Sequence, residues 1–388
     1  MVERRSSWHP FRAATYDAAP MDGASLADLD TPSLLFDLDV VERNIEEMAN
    51  VTRHAGVRLR PHTKTHKSPE IARMQIAAGA PGITVAKLGE AETMADAGLD
   101  DILVAYPIVG PAKLERLGAL LERVAVRVSL DDVDVAEGIG RLGRDLGRDI
   151  EVLVEVDTGM GRLGRPPGKP TVRLVKEVAR VRGVELIGLL THAGHSYGTT
   201  SEDELRGIAR NEGLALVATA ESCAEEGIEL REISVGSTPT ARTVAGVPGV
   251  TEIRPGTYVF NDVQQMRVGV ATEETCAARV LTTVVARPSA ERFVVDAGTK
   301  TFTSDGGSGP RFPGRGVVAG RPDLVLDFMN EEHGVGRISG DGVLAIGERL
   351  EVIPVHVCAC VNMFDEAYGM RHGRVERVIR IEARGRTR

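Results

Sequence analysis

Aromatic residues are scarce in this chain: Phe, Trp and Tyr make up 4% of 388 residues, with a single tryptophan. The core must therefore be assembled mainly from Val, Leu, Ile and Ala. Lysine is scarce too, with seven lysines against forty arginines among the 47 basic residues. No apolar run approaches the roughly 20 residues of a membrane-spanning helix. Arg4-Arg5 leads into no apolar segment of the kind a secretory or twin-arginine signal requires. The cysteines, Cys223, Cys276, Cys358 and Cys360, form neither a C-x-x-C pair nor the even framework of a short secreted domain. Reduced thiols in a cytoplasmic protein are the expectation. A formal net charge of -9 argues against nucleic acid or an anionic membrane as partner. The basic Arg384–Arg388 reads as a solvated tail.

What is present is a rhythm. Short β-branched runs at Ser33–Leu38, Val57–Arg60, Ile83–Ala86, Ile102–Ala105, Val124–Ser129, Ile150–Val156, Leu186–Thr191 and Glu232–Val235 alternate with amphipathic stretches such as Val40–Ala55, Pro69–Ala78 and Glu202–Glu226. Such units predict an α/β fold, a (β/α)8 TIM-type barrel over residues 31–267. From residue 268 to 388 the helical period disappears. Cys276–Ala286, Arg292–Val295, Leu324–Leu326, Arg349–Val357 and Val375–Ile381 predict a mostly-β domain. Residues 1–30 have weak pattern and are expected to form an arm packing on that domain.

Two of the seven lysines fall within Arg60-Pro61-His62-Thr63-Lys64-Thr65-His66-Lys67, where a strand should hand over to a helix beginning at Ser68-Pro69-Glu70. A lysine at the C-terminal end of a barrel strand points into the usual reaction centre of that fold. Once desolvated it can lose its proton and attack a carbonyl, which arginine cannot. Glu155–Gly164 closes another strand with three glycines and the permanently charged Arg162. The turns Ser234–Thr238 and Arg254–Tyr258 follow the last strands, the common phosphate site of such barrels. An imine-forming lysine beside a phosphate cradle suggests pyridoxal 5'-phosphate (PLP).

Together these motifs resemble the fold-type III PLP enzymes, in the branch of D-serine dehydratases and D-threonine aldolases. The similarity runs through Pro61–Lys67, Asp157–Gly164, Thr191–Tyr197, Ser234–Pro239, Arg254–Tyr258 and Pro354–Cys358 in family order. It implies Lys64 as the Schiff-base lysine, Arg162 near the phenolic oxygen of the cofactor, and His192 against its ring. Gly236, Ser237, Gly256 and Tyr258 would hold the phosphate, with Tyr197 near the pyridine nitrogen. It further implies a homodimer whose β domains close the sites.

His356-Val357-Cys358-Ala359-Cys360 is expected on a strand, where alternate side chains share a face. His and Cys so spaced suit a divalent ion, most naturally zinc, with manganese or magnesium as alternatives. Otherwise they are buried cysteines beside a chance histidine. In the family the His-x-Cys pattern resembles dehydratases, whereas aldolases tend to carry aspartate at the second position. Ala359-Cys360 departs from the usual continuation of both. Lys67 reads as an exposed helix-start residue, His62 and His66 as pocket or core histidines, and Asp296 with Lys300 as a turn with a structural ion pair. His9, His54 and His372 read as surface residues. Glu332 and His333 stand between a substrate-contacting role and a solvated turn.

The expected reaction is β-elimination from a small D-3-hydroxy amino acid. Lys64 takes the α-proton and the metal on His356 and Cys358 assists loss of the hydroxyl, giving a 2-oxo acid and ammonia. The rival is retro-aldol cleavage to glycine and an aldehyde, with His195 as base. An amino-acid racemase would need a second base, typically a tyrosine, and this β domain offers only Tyr368. A non-catalytic PLP carrier usually lacks a β domain.

Overall fold

The computed structural model describes residues 23–306, 312–340 and 342–388. Their strands fall into two sheets. The first is parallel, in the order Arg58–Leu59, Glu252–Ile253, Glu232–Val235, Val184–Leu190, Ile150–Glu155, Ala125–Leu130, Asp101–Val104 and Ile83–Val85. A parallel bridge between His62 and Thr84 joins its two ends. Thr63 N–H donates to Thr84 O and Thr84 N–H to Pro61 O, each at 2.8 Å. The sheet is thereby curled back on itself, TIM-like, with helices outside. Its strands read as continuous apolar runs because both faces are covered: Ile102, Val104, Val128, Leu130, Val152 and Val154 are all fully buried.

The helices begin and end where local chemistry dictates. Asp37 accepts a hydrogen bond from Val40 N–H at the start of Leu38–Ala55, and Gly56 closes it in the left-handed conformation at φ 70°. Ser201 caps the long helix Glu202–Glu225 in the same way.

The second sheet is mostly antiparallel, in the order Arg292–Val295, Gly334–Ile338, Leu324–Met329, Gly316–Val318, Arg349–Pro354, Ala278–Ser289, Ser33–Asp37, Glu366–Arg371 and Arg374–Arg380. This corrects the expectation for the first strand. Ser33–Asp37 pairs antiparallel with Ala278–Ser289 (Leu34 opposite Val280) and parallel with Glu366–Arg371 (Leu35 opposite Tyr368), and takes no part in the parallel sheet. An apolar run records burial on both faces but not which sheet receives it. Phe36 stacks on Phe260 with ring centroids 4.2 Å apart, while Leu35 faces a separate cluster with Leu281, Met370 and Val375. The eighth parallel strand is the two-residue Glu252–Ile253, too short to leave a periodic signal.

The basic end is solvated, residues 384–388 all being exposed, but it is anchored to the body of the chain. Ala383 is buried, its N–H donates to Lys67 O at 3.0 Å, and Arg388 O accepts from Gly89 N–H at 2.8 Å. The expected arm lies largely outside the described residues. Where description begins, Gly23 N–H donates to Val375 O at 2.8 Å. No helix among the described residues is long and apolar enough to cross a membrane.

Beneath the parallel strands Arg60 is buried at 1% exposure, its Nε donating to Glu252 at 2.9 Å and its Nη1 to Asp101 at 2.8 Å. Removing one partner of a buried ion pair strands the other, at a cost of about 3–5 kcal/mol. Arg60→Met is therefore expected to lower the thermal unfolding temperature strongly. A variant melting within a degree of the parent would contradict this account of the barrel floor.

Candidate active site

The parallel strands deliver their C-terminal ends to one mouth, where a cavity of about 430 Å3 is walled by His62, Lys64, Glu155, Arg162, His192, Tyr197, Gly236, Ser237, Arg254, Gly256 and Thr257, among others. Lys64 stands on a pinned turn. His66 and Lys67 N–H both donate to Thr63 O, at 3.2 and 2.8 Å, and Thr63 Oγ1 donates to Thr84 O at 3.1 Å. His66 is a core residue: its Nδ1 accepts from Ser68 N–H at 3.1 Å and its Nε2 faces Gln75 Oε1 at 3.2 Å. Lys67 corrects its sequence reading. It is buried in the left-handed region at φ 51° and ion-paired with Glu90, whose other oxygen accepts from Ala86 N–H at 2.7 Å.

The electrostatics favour a reactive Lys64. Burial lowers the pKa of its ammonium, the nearby Cys358 thiolate works against this, and Arg162 adds to it. Burial, reinforced by the charge of Lys64, drives His62 and His192 well below the usual imidazole range, so both rings are neutral. Burial also raises the Glu155 carboxyl against the pull of Arg162, which it meets at 3.4 Å. Arg254 is fixed by hydrogen bonds to Ser234 Oγ and Thr191 O, both 2.6 Å.

Two turns meet at one side of the cavity. Gly236, at φ 99°, donates its N–H to Glu212 at 2.9 Å, and Ser237 Oγ lies 3.1 Å from Thr240 Oγ1 and 3.3 Å from Ser196 Oγ. At Gly256 a Cβ would come within 2.9 Å of both His62 O and Thr65 Oγ1, so only glycine lets these segments approach. Tyr258 lies apart from this wall. Its phenol accepts from Gln75 at 3.0 Å and its N–H donates to Thr238 Oγ1 at 3.1 Å. His195 also stands off the cavity wall, its ring packed against Gly159 and its Nδ1 buried without a partner.

The β domain brings His356 and Cys358, and here another expectation is corrected. The strand stops at Pro354, and His356 instead stands at the residue before the short helix Val357–Val361. The helix separates the cysteines: Cys360 turns into the core and donates to Thr301 O at 3.3 Å, whereas Cys358 Sγ faces the cavity loops, 3.2 Å from Thr65 Oγ1 and 3.7 Å from Thr257 Oγ1. Burial disfavours the His356 imidazolium, but the hydrogen bond to Cys358 and the charges of Cys358, Asp262 and Asp305 outweigh it and lift the pKa to about 9. Burial resists ionisation of Cys358, yet His356 and Lys64 together lower its pKa. Lys300 pairs with Glu332 at 2.7 Å rather than with Asp296, which accepts from Thr31, Thr282 and Thr283.

The alanine racemase N-terminal domain model matches residues 36–263, and a serine dehydratase domain model matches residues 277–370. The chain is 38% identical to the D-threo-3-hydroxyaspartate dehydratase of Delftia sp. (strain HT23), over 88% of this chain and 94% of that one. It belongs to the fold-type III PLP family. Within that family it superposes on the D-threonine aldolase of Filomicrobium marinum with a TM-score of 0.88 at 33% identity, covering 95% of this chain and all of that one. A variant of the D-threo-3-hydroxyaspartate dehydratase described as the metal-free form gives 0.85 at 34% identity, covering 92% and 98%.

Sequence reasoning passed over Arg254, Glu155, Thr65 and the pair Lys87 and Tyr106, all on or beside the cavity wall. A strand-end arginine followed by Pro-Gly was visible as a turn, but nothing local announces that its guanidinium points inward.

The pinned turn yields a pH prediction. Burial depresses His66 to about 4. The unfolded chain, near 6.5, thus takes up its proton first, and stability present above pH 6.5 is lost as pH falls toward 4. At full extent this amounts to about 3 kcal/mol. His66→Asn should flatten the decline in denaturation midpoint between pH 7 and 5. An unchanged slope would show that the imidazole does not carry it.

Proposed function

We propose that the protein is a PLP- and divalent-metal-dependent lyase that eliminates water from D-3-hydroxy amino acids, the released enamine then taking up water to give a 2-oxo acid and ammonia. The observation that carries this reading is the meeting of Lys64 on the barrel loop with Cys358 from the β domain, bridged by Thr65 at 3.2 Å. A nucleophilic amine and a metal-binding thiol at one mouth are what elimination of a hydroxyl requires.

The residues present fit PLP. The cavity would take a planar ring beside neutral His192, and the glycine turns with Ser237 would offer an anion-binding corner. Lys64 would hold the cofactor, Arg162 would face its phenolic oxygen, and Gly236, Ser237 and Gly256 would receive its phosphate. Tyr258 supports that corner through Thr238, and Tyr197, on the cavity wall, would face the pyridine nitrogen. When bound, the cofactor supplies an electron sink for charge left at Cα. Lys64, its proton affinity lowered by burial, accepts the α-proton.

His356 and Cys358 fit an ion of borderline softness. Among the described residues no group of three or more His, Cys, Asp or Glu side chains gathers to cage one. A two-residue anchor leaves positions for solvent and substrate, and Asp305, 3.3 Å from His356 Nδ1, would orient the ring. Such an ion, with zinc the natural choice, supplies Lewis acidity toward a hydroxyl. Since His195 lies off the cavity wall, the elimination reading gives it no part; it would serve only the aldol alternative. The four free cysteines accord with a cytoplasmic setting, and a homodimer completes the reading.

Metal-loaded holoenzyme with D-serine, D-threonine and threo-3-hydroxy-D-aspartate should release ammonia and 2-oxo acid, and chelation should abolish it. Lys64→Ala should lose the visible absorbance of bound cofactor and roughly a thousandfold or more in turnover. Glycine and aldehyde as the products would replace elimination by aldol cleavage.

A further inference from the structure

Lys87 is a basic residue at the cavity mouth with no counter-charge among the described residues. It follows strand Ile83–Val85, immediately precedes helix Leu88–Asp96 and lines the same cavity as Lys64. The acids on its helix are engaged elsewhere: Glu90 with Lys67 and Ala86 N–H, Glu92 with Arg116 at 2.7 Å, and Asp96 with Arg123 at 2.5 Å. Glu155, the carboxylate on the cavity wall, belongs to Arg162. Among the described residues no carboxylate lies within ion-pair distance of Lys87. Its ammonium instead sits 3.4 Å from the centroid of the Tyr106 ring. The aromatic face steadies the cation without neutralising it. The small Ala86 and Ala105, which precede the two residues, leave room beside them.

The position of the pair decides what it could hold. The phosphate corner lies on other strands: in the curled sheet Asp101–Val104, which leads to Tyr106, stands across the ring from Glu232–Val235, which leads to Ser237. Tyr106 is 38% exposed and marks the rim. The α-carboxylate of any amino acid held at Lys64 stays one bond from Cα. A rim cation on the side of the ring away from the phosphate corner would meet the substituent on Cβ.

Resting on the lyase reading, we propose that Lys87, held over Tyr106, selects substrates with a second carboxylate on Cβ, making the substrate class D-3-hydroxy dicarboxylic amino acids. D-Threonine and threo-3-hydroxy-D-aspartate share configuration and differ in a methyl against a carboxylate, so their ratio isolates this charge. For holoenzyme, K87M and K87R, kcat/KM would be measured by product release. Dissociation constants would be measured independently from the change in cofactor absorbance on binding.

The parent should favour the dicarboxylate at least tenfold. K87M should reduce that ratio at least tenfold through KM and the dissociation constant, and K87R should restore most of it. A parent without preference, or a K87M variant that weakens both ligands in proportion, would overturn the inference. A binding preference that K87M removes, without turnover of either compound, would sink the lyase reading and leave this one standing.

Discussion

The structure depends on a buried chain of charges under the cavity. Arg60 Nε donates to Glu252 at 2.9 Å, Ser234 Oγ donates to the same carboxylate at 2.6 Å, and Arg254 continues from Ser234 to Thr191 O. It ties together the ends of four neighbouring strands, including the shortest two. In a low-dielectric interior such a web is stabilising only when every member is satisfied. Completeness is what fixes Arg254 with its guanidinium in the cavity wall. Glu252 is held ionised despite burial by the two arginines and the serine, and the positive potential this leaves above the floor helps keep Lys64, His62 and His192 short of protons.

The two domains act as one site because their backbones interlock. Buried Asp262, just beyond the barrel, caps two helices with one carboxylate, accepting from Gln265 N–H on its own side and from Val357 N–H of the β domain, both at 3.0 Å. Strand Ser33–Asp37 lies in the β sheet and runs directly into the first outer helix of the barrel. The C-terminal segment returns to Lys67 O. His356 and Cys358 are thus positioned by contacts made to the barrel, which is why a helix start, rather than the end of a strand, carries them.

The sequence showed what is periodic and what is chemically unusual. Helix Glu202–Glu225 and strand Arg292–Val295 could be read to within a residue, and Lys64 was evident because lysine is rare in an arginine-rich chain. The rest depended on partners distant in sequence. Ser33–Asp37 looks like any buried strand; only its neighbours near residues 280 and 368 assign it to a sheet. Glu252–Ile253 is two residues long and exists because both edges are paired. Lys67 and Glu90 are 23 residues apart and meet only once two strand ends are adjacent. His356-Val357-Cys358 has the alternation of a strand, yet Asp262 supplies the cap that starts a helix there, and a short turn erases the period-2 pattern on which the reading rested.

Two of the scarce lysines, Lys64 and Lys87, line this cavity and a third, Lys67, is buried close to Lys64 in sequence; the three differ in their electrostatic surroundings. Lys67 is ion-paired with Glu90, and Lys87 lies over an aromatic face. Lys64 is pushed toward the free amine by burial and by the arginine beside it, against the thiolate of Cys358. That opposition joins the domains electrostatically as well as sterically. A cation taken up by Cys358 and His356 would cancel the thiolate's negative charge, remove what holds a proton on Lys64, and favour the unprotonated amine. Arginine could occupy any of these positions as a cation, but only lysine can be discharged at one, paired at the next and left free at the third.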